Sequence, residues 1–312
     1  MMPCKFPNKS QIALELALTL IQGTADFYQE DLLKNASPQP QPKECLCMSM
    51  DFDFNNACLS VDQTVTNTIT DTINVLIDDD LQHKNGQQSQ RDYLGASRLG
   101  EPCVRALQYE YTQTPRDKAY TGQTLRIFEM GHTLEKMAWQ WLQGAGFEIE
   151  THQPTTGEVY GFSVAQGQLQ GHVDGIVWQV PEGLELDIQV PAVWECKSLN
   201  ARSWKQLVEK GVKIAKPVYA VQIALYQAYL EELIPGLSKN PALLTAVNKD
   251  TSELYHELVP FDAGLAQTAS DRAVTIFRAT QSGETLPRIN QDPDSFCCRF
   301  CNWQTTCWKE IY

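Results

Sequence analysis

Between Thr121 and Gln143 the apolar residues Ile127, Met130, Leu134, Met137, Trp141 and Leu142 gather near one helical face, and Gly144 to Gly146 break the run. Spacing of three and four residues predicts an amphipathic helix there, ended by the glycines. Short apolar runs bounded by turn residues predict strands at Phe147–Gln153, Tyr160–Ala165, Gln168–Trp178 and Ala192–Lys197. Helical spacing returns at Ala201–Lys210 and Val218–Leu233. Ala242–Asn248 and Leu254–Val259 read as further strands, and Leu265–Thr280 as a last helix. A helix, three strands, a buried strand and another helix describe an α/β core with a central mixed sheet flanked by helices.

Upstream the pattern weakens. Val61, Val65, Ile69, Ile73 and Leu76 recur at helical spacing before the run Asp78-Asp79-Asp80, which predicts an amphipathic helix of modest propensity because most of its apolar residues are β-branched. A Pro/Gln stretch from Ser37 to Pro42 and a polar linker from Gln82 to Gln90 lie on either side. The chain therefore divides into an acidic, partly disordered extension (residues 1–92) and a domain over residues 93–312. Lys5 and Lys9 precede the apolar stretch Ile12 to Ile21 as in a secretory leader, but Glu15 interrupts it and its spacing suits an amphipathic helix. No apolar run approaches the roughly 18–20 residues that cross a bilayer, so the expectation is a soluble, cytoplasmic protein with no membrane partner.

Composition changes this picture in two places. A hydrophobic content of 43% over 312 residues suffices for a sizeable core. The net charge of −13 argues against a nucleic-acid binder until it is apportioned: residues 1–92 hold 6 Lys and Arg against 13 Asp and Glu. Downstream, Arg202, Lys205, Lys210, Lys213 and Lys216 cluster with only Glu209 opposing. A solvated helix face and a phosphate-facing surface are both open readings of that cluster.

Candidate chemistry begins with two acidic positions. Asp174 lies in Gly171-His-Val-Asp-Gly175, and Glu195-Cys196-Lys197 follows the apolar residues Ala192, Val193 and Trp194. Adjacent strands would bring the two carboxylates close enough to share one hard cation, Mg²⁺ or Mn²⁺. Glu195 and Lys197 are two apart on a strand and point to the same face, where the lysine would orient a water or stabilise charge on a phosphate. Cys196 points the other way, although its carbonyl remains available to the cation. The plainer alternatives are a strand ion pair for Glu195 and Lys197, and a turn residue for Asp174 between its glycines.

Thiol spacing adds a second candidate site. Cys298-x2-Cys301-x5-Cys307 ends the chain and Cys103 stands alone far upstream. Zinc ribbons use two short Cys-x-x-Cys hooks. One extended hook plus one distant partner suits a four-cysteine [4Fe–4S] site, with zinc as the alternative and Cys297 as a competing neighbour of Cys298. Cys4, Cys45, Cys47 and Cys58 read as ordinary thiols.

In this order the residues resemble the PD-(D/E)xK nuclease signature, with His-Val-Asp-Gly-Ile where Pro-Asp is usual. More narrowly, residues 93–312 are similar to RecB-like iron–sulfur exonucleases, of the CRISPR-associated four-cysteine exonuclease and AddB nuclease-domain type. The resemblance implies a restriction-endonuclease-like core. It assigns His132, after Gly131, to metal binding together with Asp174, Glu195 and Cys196. It makes Asp174, Glu195, Lys197, Gln222 and Tyr226 the catalytic set, the last two as a Gln-x-x-x-Tyr motif on one helical face. There Gln222 would contact the lysine or a phosphate, and Tyr226 a sugar or base. It identifies Cys103, Cys298, Cys301 and Cys307 as cluster ligands. The implied activity is Mg²⁺- or Mn²⁺-dependent hydrolysis of DNA at single-stranded ends, in repair, recombination, phage DNA processing or CRISPR adaptation, with a helicase, recombinase or CRISPR integrase as protein partner. The rival from another class is a non-catalytic DNA-binding module with a redox-sensing or structural metal cluster.

Overall fold

The computed structural model describes residues 68–184 and 188–309. The stretch Ile12 to Ile21, the Pro/Gln run, the thiols Cys4, Cys45, Cys47 and Cys58, and the helix positions Val61 and Val65 lie outside them. The elements in chain order are α1 (Ile69–Gly86), β1 (Leu94–Gly95), a 3₁₀ turn (Ala96–Arg98), α2 (Val104–Tyr111), α3 (Gly122–Gly144), β2 (Glu148–Glu150), β3 (Gly161–Val164), β4 (Leu169–His172), β5 (Gly175–Gln179) and β6 (Ala192–Leu199). They continue with α4 (Ala201–Lys210), α5 (Val212–Ala215), α6 (Pro217–Tyr229), β7 (Ala242–Asn248), β8 (Leu254–Val259), α7 (Ala263–Gln281), α8 (Phe296–Arg299) and α9 (Gln304–Lys309).

The mixed α/β architecture holds, but the strands form two sheets where one was expected. A five-stranded sheet runs β2-β5-β6-β7-β8, and a three-stranded sheet runs β1-β4-β3. In the larger sheet β6 and β7 are parallel and the remaining pairs antiparallel. The run Gln168–Trp178, expected to be a single strand, breaks at Val173 and Asp174 into β4 and β5, one in each sheet. Close packing causes the break. A Cβ on Gly171 would stand 2.7 Å from Tyr226 Cε1, and one on Gly175 would stand 2.8 Å from Ile149 Cγ2, so only glycines let the chain pass from one sheet to the other here.

Strand β6 is the centre of the molecule and its alternation sorts the two layers. Trp194 and Cys196 pack with Ala138 and Leu142 of α3 and with Leu243 and Val247 of β7. Val193 and Leu199 face the opposite layer, with Ile223 and Leu225 of α6 and Ile276 and Phe277 of α7. Each fully buried aliphatic chain there contributes about 1.5–3 kcal/mol. The Trp194 indole is satisfied by donating to Thr245 Oγ1 at 3.0 Å.

Helix α1 departs from its amphipathic expectation. Its start is a capping box, Asp71 N–H to Thr68 Oγ1 at 3.1 Å and Thr68 N–H to Asp71 Oδ2 at 3.0 Å. It runs on through Asp78–Asp80 into the expected linker as far as Gly86, yet it buries none of its residues. Ile69 remains 81% exposed. Polar contacts join it to the start of α3: an Asp78–Arg126 ion pair and a bond from Gln82 Nε2 to the Tyr120 carbonyl at 2.9 Å.

Candidate active site

Asp174, in the break just before β5, lies close enough to Glu195 of β6 for its charge to act on that glutamate. The antiparallel ladder begins at the next residue, where Gly175 pairs with Trp194. Asp174 Oδ2 accepts the backbone N–H of Cys196 at 2.7 Å, which fixes the carboxylate beside the next strand. Gly175, whose spacing from Gly171 had a turn as its plainer alternative, here supplies the clearance that lets β5 lie against β2 and β6.

Glu195 is 0% exposed. Its Oε1 accepts from Gln222 Nε2 at 2.7 Å and is ion-paired with the Lys197 ammonium. Its Oε2 is buried with no hydrogen-bond partner, an expensive state for a carboxylate oxygen. Lys197 Nζ also sits 5.2 Å from the centroid of the Tyr219 ring. Gln222 thus reaches the glutamate, where the expectation was the lysine or a phosphate, and the same Nε2 lies 2.9 Å from Tyr226 Oη. Tyr226 is only 3% exposed, its ring against Phe162 and Gly171, so it braces Gln222 and presents no face to a sugar or base. That Gln222 and Tyr226 share a face follows from their i, i+4 spacing on α6.

Charges explain how these groups are held. Burial pushes Glu195 up to about 8, helped by the charge of Asp174. Burial likewise raises Asp174, against the pull of Lys197, the Cys196 N–H and His132. Lys197 would lose its proton to burial, but Glu195 and Asp174 hold it well above its usual range. One ammonium therefore faces more carboxylates than it neutralises.

Glu135 belongs to this group and was passed over in the catalytic set. Burial and the nearby charge of Asp174 push its carboxyl up to about 7. The signal was its place one turn beyond His132 on α3. His132 itself is 84% exposed, with Nδ1 4.0 Å from Glu135 Oε2. The glutamate is the less exposed of the two, at 40%, and His132 is still near enough for its charge to act on Asp174. Tyr219, three residues before Gln222, was also missed, because aromatic packing on a lysine leaves no periodic trace. The Cys196 thiol lies in the α3 layer, where burial raises its pKa, so only its backbone borders the site.

Among the described residues no three His, Cys, Asp or Glu side chains stand close enough to enclose a metal ion unaided. The donor types nevertheless suit a hard cation: an unpartnered buried oxygen on Glu195, with the charges of Asp174 and Glu135 both acting on that glutamate.

The thiols converge elsewhere. Cys103, Cys298, Cys301 and Cys307 line one small cavity of about 20 Å³ together with Cys297. Direct hydrogen bonds seat the C-terminal segment beside α2: Asp117 N–H to the Asn302 carbonyl at 2.8 Å, Trp303 Nε1 to the Thr114 carbonyl at 2.9 Å, and Thr306 N–H to Asp117 Oδ1 at 3.1 Å. Burial pushes Cys301 up to about 11 and also raises Cys103, with the other thiols adding to it. The residue types are thiophilic, but among the described residues no three of these sulfurs stand close enough together to enclose a metal ion.

The basic cluster is only partly at the surface. Arg202, Lys205, Lys210 and Lys213 are exposed, with Lys213 paired to Asp262 at 2.8 Å and Lys205 near Glu209 at 3.8 Å. Lys216 is buried and donates to Ser203 Oγ at 3.2 Å. Burial brings it down to about 8, so it belongs to the packing between α4 and α6 and leaves the phosphate-facing group.

No family model and no curated protein matches the chain. Among solved structures, SSO0001 is similar at 15% identity over 78% of this chain and all of its own, with a TM-score of 0.41. The alkaline exonuclease LHK-Exo from Laribacter hongkongensis is similar at 11% identity, over 66% of this chain and 93% of its own, also with a TM-score of 0.41. LHK-Exo in complex with dAMP gives 12% identity, 62% and 89% coverage, and a TM-score of 0.38. No helix among the described residues is long and apolar enough to cross a membrane.

Proposed function

We propose that the chain is a PD-(D/E)xK-type, divalent-cation-dependent deoxyribonuclease of the RecB-like iron–sulfur kind. The observation that carries this reading is the Asp174 carboxylate held against β6 by the Cys196 N–H, beside Glu195, with Lys197 ion-paired to the glutamate. Asp174, Glu195 and Glu135 would hold Mg²⁺ or Mn²⁺, with the more exposed His132 beside Glu135. When bound, the cation supplies polarisation of a phosphate oxygen and a more acidic water. Lys197 carries a fixed positive charge to the position where negative charge grows on the phosphate. Gln222, braced by Tyr226, holds Glu195 in the orientation that keeps Oε2 free for a ligand. Exposed Arg202, Lys205 and Lys210 extend a positive surface from the same strand end for the phosphate backbone.

Cys103, Cys298, Cys301 and Cys307 are the ligands proposed for a [4Fe–4S] cluster whose role is to join the two ends of the domain. Single-stranded DNA ends are the proposed substrate, and a helicase, recombinase or CRISPR integrase the proposed partner. Oxygen-free purification followed by Mn²⁺-dependent digestion of end-labelled single-stranded DNA tests the reading. Release of nucleotides by wild type and none by Glu195→Ala supports it; equal activity in the two overturns it.

A further inference from the structure

We propose that Tyr219 is a positioning residue for Lys197, its ring face holding the ammonium beside the carboxylates without taking its proton or cancelling its charge. This deepens the nuclease reading and rests on it. Lys197 Nζ lies 5.2 Å from the centroid of the Tyr219 ring, inside the distance at which the negative face of an aromatic ring attracts a cation. The lysine side chain is only 20% exposed, and a cation–ring contact strengthens as water is withdrawn from it. Its ion-pair partner is Glu195. That pair weakens whenever the glutamate gives its oxygens to another cation, because two positive charges then compete for one carboxylate. The ring meets no such competition. It holds the lysine while leaving the full positive charge to face a phosphate.

Helix α6 sets the arrangement. Tyr219, Gln222 and Tyr226 follow one another at steps of three and four residues, so one face of the helix carries all three. Gln222 donates to Glu195 and Tyr219 meets Lys197. The strand order Glu195, Lys197 is thus matched by the reversed helix order Gln222, Tyr219, as expected of a helix crossing back between the parallel strands β6 and β7. Tyr219 is fixed at the root of that helix. Pro217 stands in its first turn, and the Tyr219 N–H donates to the Lys216 carbonyl at 3.0 Å. Gly100 lies so close that a Cβ there would stand 2.5 Å from Val218 Cα, which pins the backbone bearing the ring against the chain just after the turn Ala96–Arg98. The ring also packs against the core, so its charge distribution has to be separated from its bulk.

Phenylalanine and its mono-, di- and trifluorinated forms at position 219 keep nearly the same bulk, while each fluorine drains the negative face of the ring. Turnover of end-labelled single-stranded DNA at saturating Mn²⁺ is measured along this series. Thermal melting of the metal-free proteins is measured on the same samples and again in a Lys197→Met background. With Lys197 present, turnover is expected to fall stepwise, by about fivefold from Tyr219→Phe to its trifluorinated form, and the melting temperature to fall with it. In Lys197→Met the melting temperature should not follow the fluorine count. Turnover independent of fluorine count, or melting temperatures that change equally in both backgrounds, overturns the proposal. Where Tyr219→Phe does not fold, mono- and difluorotyrosine at the same position make the comparison; where Lys197→Met does not fold, the turnover series decides alone. Wild type without Mn²⁺-dependent cleavage ends the nuclease reading instead, and the melts then decide on the Tyr219 contact by themselves.

Discussion

Gln222 donates to Glu195 Oε1 at 2.7 Å, while the other oxygen of that glutamate is buried without a partner. The amide therefore determines which carboxylate oxygen is spent within the protein and which is left for a ligand. Gln222→Leu is expected to raise the Mn²⁺ concentration needed for half-maximal cleavage by about tenfold, the equivalent of one lost buried hydrogen bond to a charged group. A metal titration of initial rates checks it. Tyr226→Phe, which removes only the hydroxyl behind Gln222, should give a smaller shift in the same direction.

Loss of the charge on Glu195 removes more. Glu195→Gln or Glu195→Ala is expected to lower turnover by on the order of 10²–10³-fold or further, the scale seen when a transition-state electrostatic partner is lost. Any brown absorbance from the proposed cluster should persist, because the thiol cavity is built from the start of α2 and the C-terminal segment.

Glu135 and His132 make opposite predictions. Sequence resemblance favours the histidine as ligand, but its ring is 84% exposed, whereas Glu135 feels the charge of Asp174. Glu135→Gln is expected to impair Mn²⁺-dependent cleavage more than His132→Ala does. Parallel kcat measurements at saturating Mn²⁺ distinguish the two, and a greater loss in His132→Ala would return the role to the histidine.

The carboxylates also set a pH dependence of stability. Glu195 rises from 4.5 unfolded to about 8 folded, and Glu135 from 4.5 to about 7, both chiefly through burial. A group with a raised folded value binds more protons in the native state. Its stability is thus fully present below the unfolded value and is lost as pH climbs through the folded one. Metal-free protein should melt at progressively lower temperature as pH rises from about 5 to 8. Glu195→Gln should flatten that slope, and Mn²⁺ should reverse it with release of protons. Thermal melts with and without Mn²⁺ at several pH values read both effects.

Much of this was legible in the chain. Two-residue spacing placed Glu195 and Lys197 on one strand face with Cys196 on the other, because alternation is a property of the backbone itself. Apolar periodicity located α3, α6 and α7 to within a few residues. Thiol spacing named the residues that line one cavity. Each of these is a local or nearest-neighbour regularity that sequence distance records directly.

Tertiary packing decided the rest. Whether Gly171 and Gly175 meant a turn or a passage between sheets depended on Tyr226, Ile149 and Trp194, which are far away in sequence. Whether His132 or Glu135 faced the carboxylates depended on how α3 rotates against β6, a matter of burial against a partner that periodicity cannot see. Lys216 looked like a member of a basic surface until α4 and α6 closed over it. Sequence by itself determined which residue types and spacings could form a carboxylate–lysine site and a four-thiol site. Only the folded chain decided which carboxylate oxygen stays unpaired and which lysine is buried, because those depend on desolvation and contact between segments that the linear order keeps apart.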